Sequence, residues 1–237
     1  QSAVNSFEKL GEQLRIIESC LEQACVARDK MRVSRIEHHQ AACYVQAFEG
    51  LEKTAAQAER WNITYRRADA LGNIIWLNIF AGRLSDAEKA ADRFAAMPEL
   101  KPYWLHNGQP TNVGVAKLNP ILWSQIGKFY AAKGVLAFEK RKLDLQSSRN
   151  GMGTKGFYLN DCALNFLLAL QYSSLFASDH RGIREGRRTI FDTLTKLNPT
   201  ELTSFSEYVR LGVVDQKLSP PIIIEQQMRE QGLWFGA

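Results

Sequence analysis

The chain has 237 residues, 45% hydrophobic and 23% charged, with 30 Lys and Arg against 25 Asp and Glu. This is the composition of a soluble globular protein with a sizeable core and room for one or two domains. It excludes a spanning helix, because the longest apolar runs, such as 74–81, are short and carry polar residues.

No charged-then-apolar N-terminal segment reads as a signal peptide, which favours a cytoplasmic setting. The chain opens on Gln1 rather than Met, which suggests a trimmed start and leaves a removed targeting segment open. Charge is unevenly spread. Residues 1–100 carry 13 basic and 14 acidic side chains, 101–199 carry 14 and 6, and 200–237 carry 3 and 5. A concentrated basic segment favours acidic partners: nucleic acid, acidic peptide tails or anionic lipid. The same segment also fits a solvated basic face with no partner.

Helical signals dominate from the start. Asn5-Ser6-Phe7-Glu8 reads as a capping box, and Leu10, Leu14, Ile17, Leu21 and Ala24 keep mostly helical spacing. Ser34-Arg35-Ile36-Glu37 reads as a second box, which predicts a break near 30–33 and a helix over 35–57. The first two helices then form an antiparallel hairpin. A third helix is expected over 58–80, ended by Gly82, and a fourth from the Ser85–Glu88 box to Met97. Residues 101–120 hold three Pro, Tyr103 and Trp104, the texture of an ordered irregular connection. Helices follow over 121–145, 159–177, 183–197 and 201–211, the last capped by Thr200. A final helix is expected from the prolines at 220–221 to Gly232, and the aromatic tail 233–237 suits packing or exchange with a second copy. The chain reads as all-α, an irregular α-solenoid or helical bundle of degenerate hairpins. Residues 1–100 are neutral N-terminal hairpins, 101–120 the connection, and 121–237 a basic C-terminal helical part.

Two stretches carry a family resemblance. Trp123, Ile126, Gly127, Tyr130 and Gly134 stand at the spacing W-x-x-I-G-x-x-Y-x-x-x-G, which resembles the first helix of a tetratricopeptide repeat. Gly82, Leu84, Ala87 and Phe94 resemble the second half of a tetratricopeptide or pentatricopeptide repeat: turn glycine, large apolar residue, small packing residue and core residue. A partial echo lies in Phe191, Leu194 and Asn198-Pro199. The fragments cover about half the chain and no period of 34 or 35 residues is sustained. The resemblance implies helical hairpins and a groove that holds extended segments, but no chemistry.

Cys20, Cys25, His39 and Cys43 have a spacing that superficially suits tetrahedral zinc. Five helical steps place Cys20 and Cys25 about 140° apart, so no regular helix turns both to one metal. A hairpin folded near residue 31 sets Cys20 opposite Cys43, where a disulfide is one option. Free thiols in a helix seam are the favoured reading. Gly151, Gly153 and Gly156 match G-x-G-x-x-G by letter, but a charged helical stretch precedes them instead of a strand. That loop can still offer backbone N–H groups and Lys155 to an anion.

No hydrolytic constellation is present: His38, His39, His106 and His180 are scattered, and no Ser or Cys sits in a motif. The reading is therefore non-enzymatic and without cofactor or metal. A weaker option is a helical enzyme with its site near 104–106 and the 150–156 loop. The expected function is a protein-interaction scaffold. Its basic stripe would be Lys140, Arg141, Lys155, Arg181, Arg184, Arg187 and Arg188, docking an acidic or extended segment of another protein. The alternative is a nucleocapsid-like helical protein using the same residues on phosphates. Phe129, Tyr130, Phe157 and Tyr158 could then stack on bases, although their spacing favours a core role.

Overall fold

The computed structural model describes residues 2–106, 109–112, 114, 119–148, 157–174 and 181–216. Among them are eight α-helices, one 3₁₀ helix and one pair of two-residue strands, so the fold is all-α. The expected last helix (220–232), the tail (233–237) and the glycine loop (151–156) lie outside the described residues. The chain divides into two compact units, Gln1–Phe94 and Ala95–Ala237.

In the first unit, α1 (Ser2–Val33) and α2 (Glu37–Arg60) pack as an antiparallel hairpin. Ile17, Leu21, Ala24, Ala27 and Met31 of α1, with Cys43, Ala47, Leu51 and Ala55 of α2, are buried. Small side chains let the backbones approach closely. A Cβ on Gly50 would fall 2.9 Å from the Ala24 Cβ. The break between the helices contains no Gly or Pro, and the expected Ser34/Glu37 capping box does not form. Glu37 is the first helical residue rather than the third, so its carboxylate cannot reach back to the cap. Instead, the Ser34 hydroxyl accepts the Ile36 N–H at 3.2 Å and meets His39 Nδ1 at 3.1 Å, while the Gln40 amide donates to the Ser34 carbonyl at 2.6 Å. At the N-terminus, the helix runs straight through the Asn5–Glu8 box, having begun at Ser2.

α2 continues three residues past its expected end, and α3 (Thr64–Phe80) and α4 (Leu84–Ala95) follow. The two turns that join α2, α3 and α4 use one device. Ile63 N–H donates to Ala58 O and Asn62 N–H to Glu59 O; Arg83 N–H donates to Asn78 O and Gly82 N–H to Ile79 O. Each is a Schellman closure, with the pivot residue in left-handed backbone: Asn62 at φ 56° and Gly82 at φ 69°. Ile63 then packs with Ile17 and Ala58. Ala87 and Phe94 of α4 are fully buried, as a close helix approach needs.

In the second unit, α5 (Pro120–Ser148), α6 (Phe157–Ser174), α7 (Arg181–Leu194) and α8 (Pro199–Gln216) follow a short irregular segment. From Leu122 to Phe138, α5 is buried on nearly every side, which makes it the central helix of this unit. Gly134 is the close-approach point to α6: a Cβ there would lie 2.3 Å from Phe166 ring carbons. Phe166 in turn lies beside Phe205 of α8, with ring centroids 6.4 Å apart. The expected Thr200 cap is corrected to Asn198. Its Oδ1 accepts the Glu201 N–H and Glu201 Oε2 accepts the Asn198 N–H, both at 3.0 Å. This is a reciprocal capping box with Pro199 as the first helical residue.

The described residues of the segment before α5 pack against the second unit, as the aromatic content of the segment predicts. A 3₁₀ turn (Pro98–Tyr103) leads to β1 (Leu105–His106) and β2 (Gln109–Pro110), which pair antiparallel. The Tyr172 hydroxyl of α6 donates to Tyr103 O at 2.9 Å and accepts the Leu105 N–H at 3.0 Å. The segment is thereby latched to α6 rather than left as a linker.

Candidate interaction surface

The expected basic stripe falls into two parts. On α5 the cations are engaged within the unit. Arg141 ion-pairs with Glu201 of α8 and stands 5.2 Å from the Phe138 ring, with its side chain only 14% exposed. Lys140 lies 5.9 Å from the Tyr158 ring, and Lys142 bonds Glu139 at 2.7 Å. These contacts follow from helical spacing. Lys142 is three residues beyond Glu139, and Arg141 stands where α5 meets the N-terminus of α8. Arg141 therefore closes a helix junction and is not presented to a partner. Lys155 lies outside the described residues.

On α7 the arrangement differs. At 100° per residue, Ile190, Thr193 and Leu194 share one side of the helix, and all three are buried. Register positions 181, 184 and 188 fall on the opposite side, with the acidic positions 185 and 192 beside them, and position 187 falls on the flank. The Arg188 side chain is 84% exposed, with Nε 3.7 Å from the Asp192 carboxylate. For Arg181, Arg184 and Arg187 the backbone alone is described. Positions 181 to 188 rise about 10 Å, in steps of roughly 4.5 and 6 Å. Alternate residues of an extended chain repeat every 6.6 Å or so, which matches the longer step.

Two of the four aromatic residues considered for base stacking, Phe129 and Tyr130, serve the core. Phe129 is buried, and Tyr103, Trp104, Trp123, Phe129, Tyr130 and Tyr172 form one cluster, with ring centroids 5.2–6.0 Å apart. Burial pushes the Tyr130 phenol up to about 12. Tyr172 is raised further, by burial first and then by Tyr130, against the opposing Leu105 N–H bond. Both hydroxyls stay protonated at neutral pH. The cluster, which includes Trp104, thus packs α5 and α6 against the irregular segment.

The cysteine candidates do not converge. Gly50 lies against Ala24 and the Cys20 carbonyl. Cys43 stands seven residues nearer the turn, about 10 Å along α2, and so meets α1 well beyond Cys20. The expected turn at residue 31 is misplaced, because the chain reverses at 34–36. All four cysteines are free thiols, and no group of three or more metal-binding side chains is found among the described residues. Burial holds the Cys162 thiol far above its usual range, which makes it a packing residue. No described helix is long and apolar enough to cross a membrane.

The polar contacts missed by sequence reasoning are inter-helical. Arg66 of α3 pairs with Glu18 of α1, and Arg28 of α1 bonds Asn73 of α3. No sequence period pairs residues 45 or 48 apart. No protein-family model, curated protein or solved structure matches the chain.

Proposed function

We propose that the protein is a non-enzymatic helical interaction module and that the outer face of α7 docks an acidic, extended segment of another protein. The observation that carries this reading is the division of α7. Its Ile190–Thr193–Leu194 side is buried, while Arg188 and register positions 181 and 184 stand on the other side. Cations held on a rigid helix at near-strand spacing give a carboxylate-bearing segment a fixed register. The engaged cations of α5 are withdrawn from the proposal, which leaves Arg181, Arg184 and Arg188 as contacts and Arg187 at the edge.

The test is fluorescence anisotropy with a Glu-rich extended peptide and, separately, a single-stranded RNA across a salt series. The expected result is peptide binding that weakens on the order of tenfold or more in Arg184→Glu/Arg188→Glu. Tighter RNA binding with a steep salt slope would replace this reading with nucleic-acid binding. Peptide affinity unchanged in the double variant would remove α7 from it.

A further inference from the structure

The α1–α2 turn exposes apolar side chains that the first unit leaves uncovered. Val33, the last residue of α1, is 79% exposed, and Ile36, the residue before α2, is 54% exposed. Phe80, at the end of α3, is 37% exposed and lies under the Arg32 guanidinium at 4.2 Å. That contact brings the end of α3 beside the turn. Arg83 follows the α3 pivot and lies 4.3 Å over Tyr44 of α2. The turn is held in shape by the Ser34–His39 and Gln40–Ser34 bonds.

Charge around this corner is one-sided. Lys30, Arg32, Arg35 and Arg83 are exposed there. Of the acids in these stretches, Asp29 is bonded by Arg28 at 2.8 Å and Asp86, three residues after Arg83, by Lys89 at 3.1 Å, while Glu37 is exposed. A protruding corner of this kind combines aliphatic tips with a basic collar. It buries its tips only in a partner that deforms around it or offers a matching groove. A lipid bilayer deforms, and anionic headgroups complement the collar.

We propose that the α1–α2 turn is a peripheral membrane-docking tip, with Val33 and Ile36 entering the interface of an anionic bilayer. Arg32, Arg35 and Arg83 contact the headgroups. Two aliphatic side chains and a few cations make such binding reversible and salt-sensitive, unlike an inserted helix. This site is separate from the α7 face and stands whether or not that face binds a peptide.

The experiment is co-sedimentation of the whole chain with vesicles of phosphatidylcholine alone and with about a third phosphatidylserine, at low and at physiological salt. Binding is expected to the anionic vesicles only and to weaken with salt. Arg32→Glu/Arg35→Glu should lower partitioning by about 30-fold or more, since each cation near an anionic surface contributes a factor of about five. Val33→Asp/Ile36→Asp should lower it at least tenfold, because the apolar contribution is lost. Both pairs are exposed, and unchanged circular dichroism will show that the fold is kept. Arg184→Glu/Arg188→Glu should bind vesicles as the parent does. The proposal is overturned if the parent ignores anionic vesicles at low salt, if Val33→Asp/Ile36→Asp still binds, or if the α7 variant alone abolishes binding. It is likewise overturned if the turn residues bind a Glu-rich peptide while vesicles are ignored.

Discussion

Gly134 shows how much one missing methyl group decides. Its Cβ position is filled by the Phe166 ring, which is fully buried and has no room to swing aside. Gly134→Ala is expected to cost about 1–3 kcal/mol by overpacking, read as a lower denaturant midpoint with unchanged slope. The pairing Gly134→Ala/Phe166→Leu should recover part of that loss, since the smaller side chain gives way. The two turn pivots make a complementary pair. Asn62 and Gly82 hold the same left-handed conformation in the same hydrogen-bonded closure. Gly82→Ala should destabilise by about 1 kcal/mol, while Asn62→Gly should be neutral or slightly stabilising in thermal unfolding. Gly82 was legible as a helix stop because glycine announces a turn. Asn62 was not, because an asparagine between Trp61 and Ile63 carries no distinctive sign.

At the scale of elements, the α5–α8 junction rests on one carboxylate with two tasks. Glu201 completes the Asn198 box and pairs with Arg141, both side chains being mostly shielded from solvent. Glu201→Ala keeps the Asn198 cap but removes the reciprocal half of the box and leaves Arg141 without its carboxylate, at a cost of about 2–4 kcal/mol. Glu201→Gln can keep the whole box and should lose about 1 kcal/mol less, a difference that chemical denaturation resolves. Helix existence was largely legible here, because the 3.6 period and the Pro and Gly punctuation are local signals. The junction was not. Lys140, Arg141 and Lys142 are consecutive basic residues in the sequence, and only the arrival of Glu201, sixty residues later, separates a junction cation from a surface one. The same holds for the thiols: Cys20 and Cys43 share a hairpin, but its register depends on the Gly50–Ala24 approach.

At the scale of the whole molecule, the buried phenols set an alkaline limit. Tyr130 and Tyr172 keep their protons in the folded chain well above pH 10, whereas in the unfolded chain they ionise near 10. Above pH 10 the unfolded state binds fewer protons than the folded state, so stability must fall as pH rises. The expected loss begins near pH 10 and continues through about 12, the Tyr130 value. Urea unfolding across that range checks it, and Tyr130→Phe should flatten the decline. The all-α class was readable from composition and period. The division at Phe94–Ala95 falls before the change of texture at residue 101, because Met97, Leu100 and Tyr103 are buried core residues of the second unit.

The Tyr172 latch has a consequence in isotope exchange. The Leu105 amide belongs to a two-residue strand, the kind of amide that normally trades its proton for deuterium within seconds. Its acceptor, however, is a phenol anchored in α6 and stacked on Tyr130, with ring centroids 5.4 Å apart. Deuteration at Leu105 therefore requires Tyr172 to disengage, so this one peripheral amide reports how often the packing between α5 and α6 opens.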